Sequence, residues 1–286
     1  MKGKIFILIV FFFYQFFITE KLISFAYNQK NEKGETGKEI VIHSLKNDAI
    51  IPVSSGFTID SKRKKLPKTS KSKFEMIVHF REGRTVRKEF IVLMKKNFDS
   101  KGTDGMLSRF TKGSSIKGLG HVRKGKIIGQ WIKFSWGKLK RIDATVMEMK
   151  MFGSNICFGD FRPRGDSIDD FNFKYLGDKK ILGFDCYIVE AVEKDKVSKK
   201  KKLYNKFVVY LRKSDYFFIR NDFYKYGKLL KYLELHNIRV NQGYLIPLRI
   251  VMVNAEGSGK TEIIMKKGYP KLNIKIKNRT FIPWGL

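Results

Sequence analysis

With 286 residues, 43% of them hydrophobic and 14% aromatic, the chain can build one large or two small cores. Its 59 Lys and Arg outweigh 27 Asp and Glu, a formal net charge of +32, so carboxylates for acid–base chemistry are scarce. The basic residues are spread along the chain and often alternate with apolar ones, as on solvated strand faces, which argues against a nucleic-acid partner. Three meanings of the charge stay open: attraction to anionic lipid head groups at about 1 kcal/mol per well-placed basic residue, attraction to acidic partners, and a compositional bias toward lysine without function.

Lys2 and Lys4 precede an apolar run from Ile5 to Ile18, and Ser24-Phe25-Ala26 follows. A basic start, a short apolar run and a Ser-x-Ala ending predict a signal peptide over residues 1–26, cleaved near Ala26. Glu20 and Lys21 cut the run short of the roughly 20 apolar residues that a membrane span needs. No cysteine stands near the cut to carry a lipid anchor, so the mature protein is expected to be soluble and periplasmic. Residues 27–73 read as a linker: a polar start, a short helix over Glu39–Ile50 with Ile40, Val41, Leu45 and Ala49 on one face, then a basic connection.

Residues 74–286 form the main domain. From Phe74 the period changes to two: a strand to Phe80, a turn at Arg81-Glu82-Gly83-Arg84 and a returning strand Thr85–Lys95. Met106–Phe110, Ile116–Val122 and a strand around Trp131 continue the pattern. The C-terminal half is a meander through 173–177, 184–192, 207–212, 216–224, 229–238, 246–254 and 261–266. No strand–helix alternation occurs, which excludes a doubly wound fold and predicts one antiparallel sheet rolled into a barrel or sandwich.

Gln130–Asp160 stands out within this pattern. Its first half carries Trp131, Phe134 and Trp136; alternation puts Phe134 and Trp136 on one face and Trp131 on the other. Its second half carries Met147, Met149, Met151, Phe152 and Phe158 between Gly153, Ser154 and Gly159-Asp160. Such density of aromatic and thioether side chains reads either as plain core or as an adaptable apolar surface. Cys157 and Cys186 are the two cysteines; export permits a disulfide, whereas Cys186 in an alternating strand fits a buried free thiol, and both remain open.

No catalytic constellation emerges. Gly257-Ser258-Gly259-Lys260-Thr261 has the ending of a phosphate-binding loop, but Asn254 replaces its first glycine and two strands flank it, so it reads as a hairpin turn. His43, His79, His121 and His236 fall on separate elements without metal-ligand spacing. A non-enzymatic protein without metal or cofactor is expected.

The order of residues resembles the outer-membrane lipoprotein-sorting proteins, the LolA/LolB-like superfamily, from Phe74 to Lys267. The resemblance rests on Trp131-Ile132-Lys133-Phe134, Lys138–Ile142, Phe152-Gly153-Ser154 and Gly159-Asp160, then on Phe173–Leu176, Gly183–Glu190, Leu229-Leu230-Lys231, Asn254 and Thr261. The chain departs from the family pattern at Ser135, where proline is usual, and at Gly159, where an acidic residue is usual. The resemblance implies a half-open antiparallel barrel around an apolar cavity, with short helices as lid or plug. It further implies a monomeric carrier of lipid or lipoprotein acyl chains, which meets membranes and possible transporter partners. Trp131, Phe134, Trp136, Met147, Met149, Met151, Phe152 and Phe158 are then candidates for cavity wall or lid, while Gly153, Ser154 and Asp160 shape the turn. Two other readings remain: an accessory interaction protein of a membrane export or efflux transporter without its own lipid cargo, and a basic module that binds polyanions.

Overall fold

The computed structural model describes residues 29–46, 67–112, 115–124, 127–142, 144–161, 168–194 and 203–282. The expected signal peptide and the expected cut near Ala26 lie outside the described residues, as do the basic runs at 61–65 and 199–202. Among the described residues fourteen strands form one sheet. The first six are β1 (Thr69–Phe80), β2 (Thr85–Lys95), β3 (Asp104–Lys112), β4 (Ile116–Lys124), β5 (Ile127–Phe134) and β6 (Leu139–Arg141). Next come β7 (Phe171–Ile181), β8 (Phe184–Glu193), β9 (Lys206–Arg212) and β10 (Phe218–Lys225). The last are β11 (Lys228–Asn241), β12 (Tyr244–Asn254), β13 (Gly259–Met265) and β14 (Lys271–Leu272).

Sequence neighbours pair as antiparallel hairpins in two runs, β6 to β1 and β13 to β7. The runs meet where β1 pairs with β13, Phe74 opposite Met265 and Val78 opposite Thr261. β14 pairs with the start of β1, Ser70 opposite Leu272. Among the described residues no ladder joins β6 to β7, so the sheet is an open barrel, mainly β with short helical pieces. The phosphate-loop look-alike is the β12–β13 hairpin turn, where Gly257 N–H donates to Asn254 O (3.1 Å).

Period-two alternation divides the side chains between two faces. Phe74, Met76, Phe90, Val92, Met106, Phe110 and Ile132 enter the main core inside the curve of the sheet. Leu93, Leu107, Val122 and Trp131, of opposite parity, join a second cluster with Phe98, Ile276 and Phe281. The C-terminal segment thus covers the outer face of β2–β5. At Gly105 an added Cβ would lie 2.5 Å from the Phe281 ring, so glycine is what lets that ring settle on β3.

Helix α1 (Gly37–Lys46) packs on β7, β8 and β9 and buries Ile40 and Val41. A capping box starts it: Thr36 N–H donates to Glu39 Oε2 (2.7 Å) and Glu39 N–H to Thr36 Oγ1 (3.4 Å). The segment before it is tied to the sheet as well. Tyr216 OH donates to Glu35 (2.8 Å) and Tyr187 OH to Glu32 (3.0 Å).

Candidate functional site: the segment between the two open edges

The described part of the connection from β6 to β7, residues 144–161, packs inside the barrel. It begins with the single turn α2 (Ala144–Met147), followed by 3-10 turns at Met151–Gly153 and Phe158–Phe161. Its backbone closes on itself: Met151 N–H donates to Ile156 O (2.8 Å) and Phe158 N–H to Met149 O (3.1 Å). Ser154, fully buried, accepts from Ile156 N–H (3.1 Å) and donates to Ile156 O (3.2 Å). Phe152 and Gly153 both have left-handed backbone, φ 54° and 73°. Glycine adopts this at no steric cost, whereas a bulky aromatic rarely does.

Below this loop lies a closed polar network. Lys231 Nζ stands 2.6 Å from Asp160 Oδ2, with both side chains almost wholly buried. The ammonium also donates to Asn155 O (2.9 Å) and approaches Cys157 Sγ (3.8 Å), so each of its three protons has an acceptor. Asp160 Oδ2 further accepts from Cys157 N–H (2.7 Å), and Oδ1 from Tyr204 OH (2.9 Å). The Tyr204 and Phe223 rings flank the ammonium at 5.4 and 6.0 Å. A buried ion pair offsets its desolvation only when its remaining protons and lone pairs are matched, and here they are. Burial raises the Cys157 thiol pKa, against the opposing pull of Lys231, which keeps the thiol protonated at neutral pH. Both cysteines are free and buried, and burial pushes Cys186 up to about 11.

Two more strands hold the loop. On β13, Thr261 Oγ1 accepts from Asn155 N–H (2.9 Å) and Gly259 O from Asn155 Nδ2 (2.7 Å). On β5, Gln130 Nε2 donates to Phe158 O (3.2 Å). Ser154, Asp160, Lys231 and Thr261, which are scattered in sequence and carried the resemblance, therefore meet at one anchor. The role of Lys231 was not foreseen, although a signal existed. On β11 it shares parity with the buried Leu233 and Leu235, and a lysine at a core position demands a buried partner.

The aromatic and methionine candidates divide into three groups. Met151 and Phe158 are buried in the main core; Phe134, Met147 and Phe152 are partly buried against it. Phe152 meets Phe110 edge-on (4.9 Å), extending a row in which Phe90 lies 5.3 Å from Phe74 and 5.4 Å from Phe110. Trp131 faces the other way, into the outer cluster, with its ring over Gly129. Trp136 and Met149 are 65% and 56% exposed, and Trp136 stacks on Phe134 at 4.5 Å. The wall-or-lid set is thus split between core, outer face and rim.

A family model described as "-like: Uncharacterized protein" matches residues 102–284, from the start of β3 past Phe281. The chain belongs to this family. No curated protein matches it in sequence. Among solved structures, a DUF1329 family protein from Desulfovibrio piger matches with TM-score 0.67 and 19% identity, over 77% of this chain and 92% of that one. An outer membrane lipoprotein-sorting protein domain from Vibrio parahaemolyticus gives TM-score 0.66 and 20% identity, over 86% and 95%. The LolA superfamily protein NE2245 from Nitrosomonas europaea gives 0.61 and 17%, over 88% and 100%. The chain thus shares the fold of the LolA superfamily structure, the fold that its residue order resembled.

Proposed function

We propose that the protein is an exported, periplasmic, non-enzymatic carrier that takes up lipid or lipoprotein acyl chains on the inner face of its open barrel. The observation that carries this reading is the row Phe74–Phe90–Phe110–Phe152, which runs across three strands onto a segment that, among the described residues, no ladder ties to the sheet edges. Methionines line the same face at Met76, Met94 and Met106, and their unbranched side chains adapt to chains of varied shape. Each methylene hidden there contributes about 0.8 kcal/mol, enough to hold an acyl chain without covalent chemistry.

The anchor divides the plug into two parts. Residues Asn155–Asp160 are fixed by Lys231, Thr261 and Gln130, whereas Met147–Gly153 meet the core through side-chain packing and are joined to the fixed part by the backbone bonds at Met149 and Met151 and to β10 by Glu148–Lys225. In this reading the second part moves, and Phe152 is the wedge that an acyl chain displaces. The LolA-like fold supports the reading by likeness to a protein domain named for lipoprotein sorting.

The test is extraction of the purified protein for mass spectrometry of bound lipid, together with titration of a fluorescent acyl probe. Co-purified lipid and saturable binding are expected. Absence of both overturns the carrier reading.

A further inference from the structure

Antiparallel order brings distant turns to one rim. Phe80 at the end of β1 lies opposite Gly259, Lys231 opposite Asn254, Lys225 opposite Lys228 and Ile116 opposite Phe134. The β1–β2, β5–β6, β10–β11 and β12–β13 turns therefore share one end of the barrel. The plug reaches that end too, since Glu148 pairs with Lys225 at 2.8 Å.

Three of the large apolar side chains exposed on the protein stand on this rim: Trp136, Met149 and Tyr226. Tyr226 is 83% exposed at a backbone φ of 49°, a left-handed turn position that normally takes Asn, Asp or Gly. Its N–H is held by Asn205 Oδ1 (3.1 Å), so the turn presents a bulky ring to solvent against local preference. Each tip has a basic neighbour: Lys138 beside Trp136, Lys150 beside Met149, Lys225 and Lys228 around Tyr226. The nearby carboxylates Glu82, Glu148 and Glu256 pair with Arg84, Lys225 and Lys228. Arg81, Lys138 and Lys150 add further positive charge, Lys150 also acting on Glu256.

We propose that this rim docks on an anionic lipid bilayer, with Trp136, Met149 and Tyr226 seated among the head groups. Indole and phenol rings favour the membrane–water interface, and lysines beside them complement anionic lipids. The proposal extends the carrier reading without resting on it.

The test is co-sedimentation of the full chain with vesicles of phosphatidylcholine alone or mixed with phosphatidylglycerol. Parent, Trp136→Ala, Tyr226→Asn and the double variant are compared, with Val240→Ala on the opposite rim as control. Binding contributed by the apolar N-terminal run is common to all of them and cancels. The double variant should bind anionic vesicles at least tenfold more weakly, with Val240→Ala unchanged, and a doxyl-labelled lipid should quench the parent's emission more than that of Trp136→Ala. Equal binding by parent and double variant, or no preference for anionic vesicles, overturns the proposal. Acyl-probe binding by the same double variant separates the two readings: retained probe binding with unchanged docking removes the rim alone, and lost docking in a protein that never bound the probe removes the carrier alone.

Discussion

Lys231 on β11 and Asp160 in the plug, 71 residues apart, form an ion pair of 2.6 Å with almost no solvent contact. Replacing only one partner leaves a buried charge without its counterion. Lys231→Met and Asp160→Asn are each expected to destabilise the fold by about 3–5 kcal/mol, and the double variant by much less than their sum. Urea titrations of the four proteins in the cycle measure this; additive losses would remove the pair from its anchoring role.

The inner wedge gives a second prediction. Phe152→Asp places a carboxylate against Phe110 and should weaken acyl-probe binding at least tenfold, whereas Met149→Asp, at a side chain that already faces solvent, should leave it within about twofold. Probe titrations on both variants, with melting curves to establish folding, decide between wedge and bystander. Equal effects would mean that the loop acts as a single body.

Glu262 on β13 sets an acid limit. Burial pushes its pKa upward, but hydrogen bonds from Arg249 Nε (2.6 Å) and Lys260 Nζ (3.1 Å) outweigh that and bring it from 4.5 down to about 2. A carboxylate depressed in the folded state stabilises above its unfolded pKa and loses that contribution as pH falls through the folded one. Stability should therefore decline between about pH 4.5 and 2, on the order of 3 kcal/mol from this group. Glu262→Gln should flatten the slope over that window, as read by thermal melts across pH.

A steric comparison checks the β12–β13 turn. Gly257 and Gly259 both have positive φ, but an added Cβ at Gly257 meets open space, while at Gly259 it falls 2.1 Å from the His79 carbonyl oxygen. Gly257→Ala should cost about 1 kcal/mol of backbone strain. Gly259→Ala should cost several times more, because the β1–β13 seam must shift to admit it. Similar losses in chemical denaturation would contradict this close approach.

The thiols offer a simple check. Cys157 and Cys186, both buried and free, should react with a thiol reagent only after denaturant is added, and then as two equivalents. Prompt reaction in the native protein would place one of them at the surface.

The long strands were legible because their burial alternates: Thr85–Lys95 was bounded in full, and most others within a few residues. β6 and β14, three and two residues long, are too short to carry a period and exist only because a neighbour pairs with them. β1 begins at Thr69 rather than Phe74 because Ser70 and Ser72, polar in sequence, sit at inward positions. The greasiness of Gln130–Asp160 could not reveal which residues face inward. Trp136 lies beyond the end of β5, where strand parity no longer governs direction, and Met149 sits in a loop. The anchor was half visible, since its members lay in the resemblance, but their meeting depends on contacts between segments far apart in the chain.

The sheet opens between β6 and β7, two strands that are consecutive in the chain, while β1 and β13, from near its opposite ends, are hydrogen-bonded neighbours. Apart from β14, a circular permutant opened between β6 and β7 and joined from β13 to β1 would list its strands in the same order as the sheet does. It would lower the contact order by making the β1–β13 pairing local. The same cut would release the plug's tether at one edge, so the topology exchanges ease of folding for a stopper that stays attached to its own vessel.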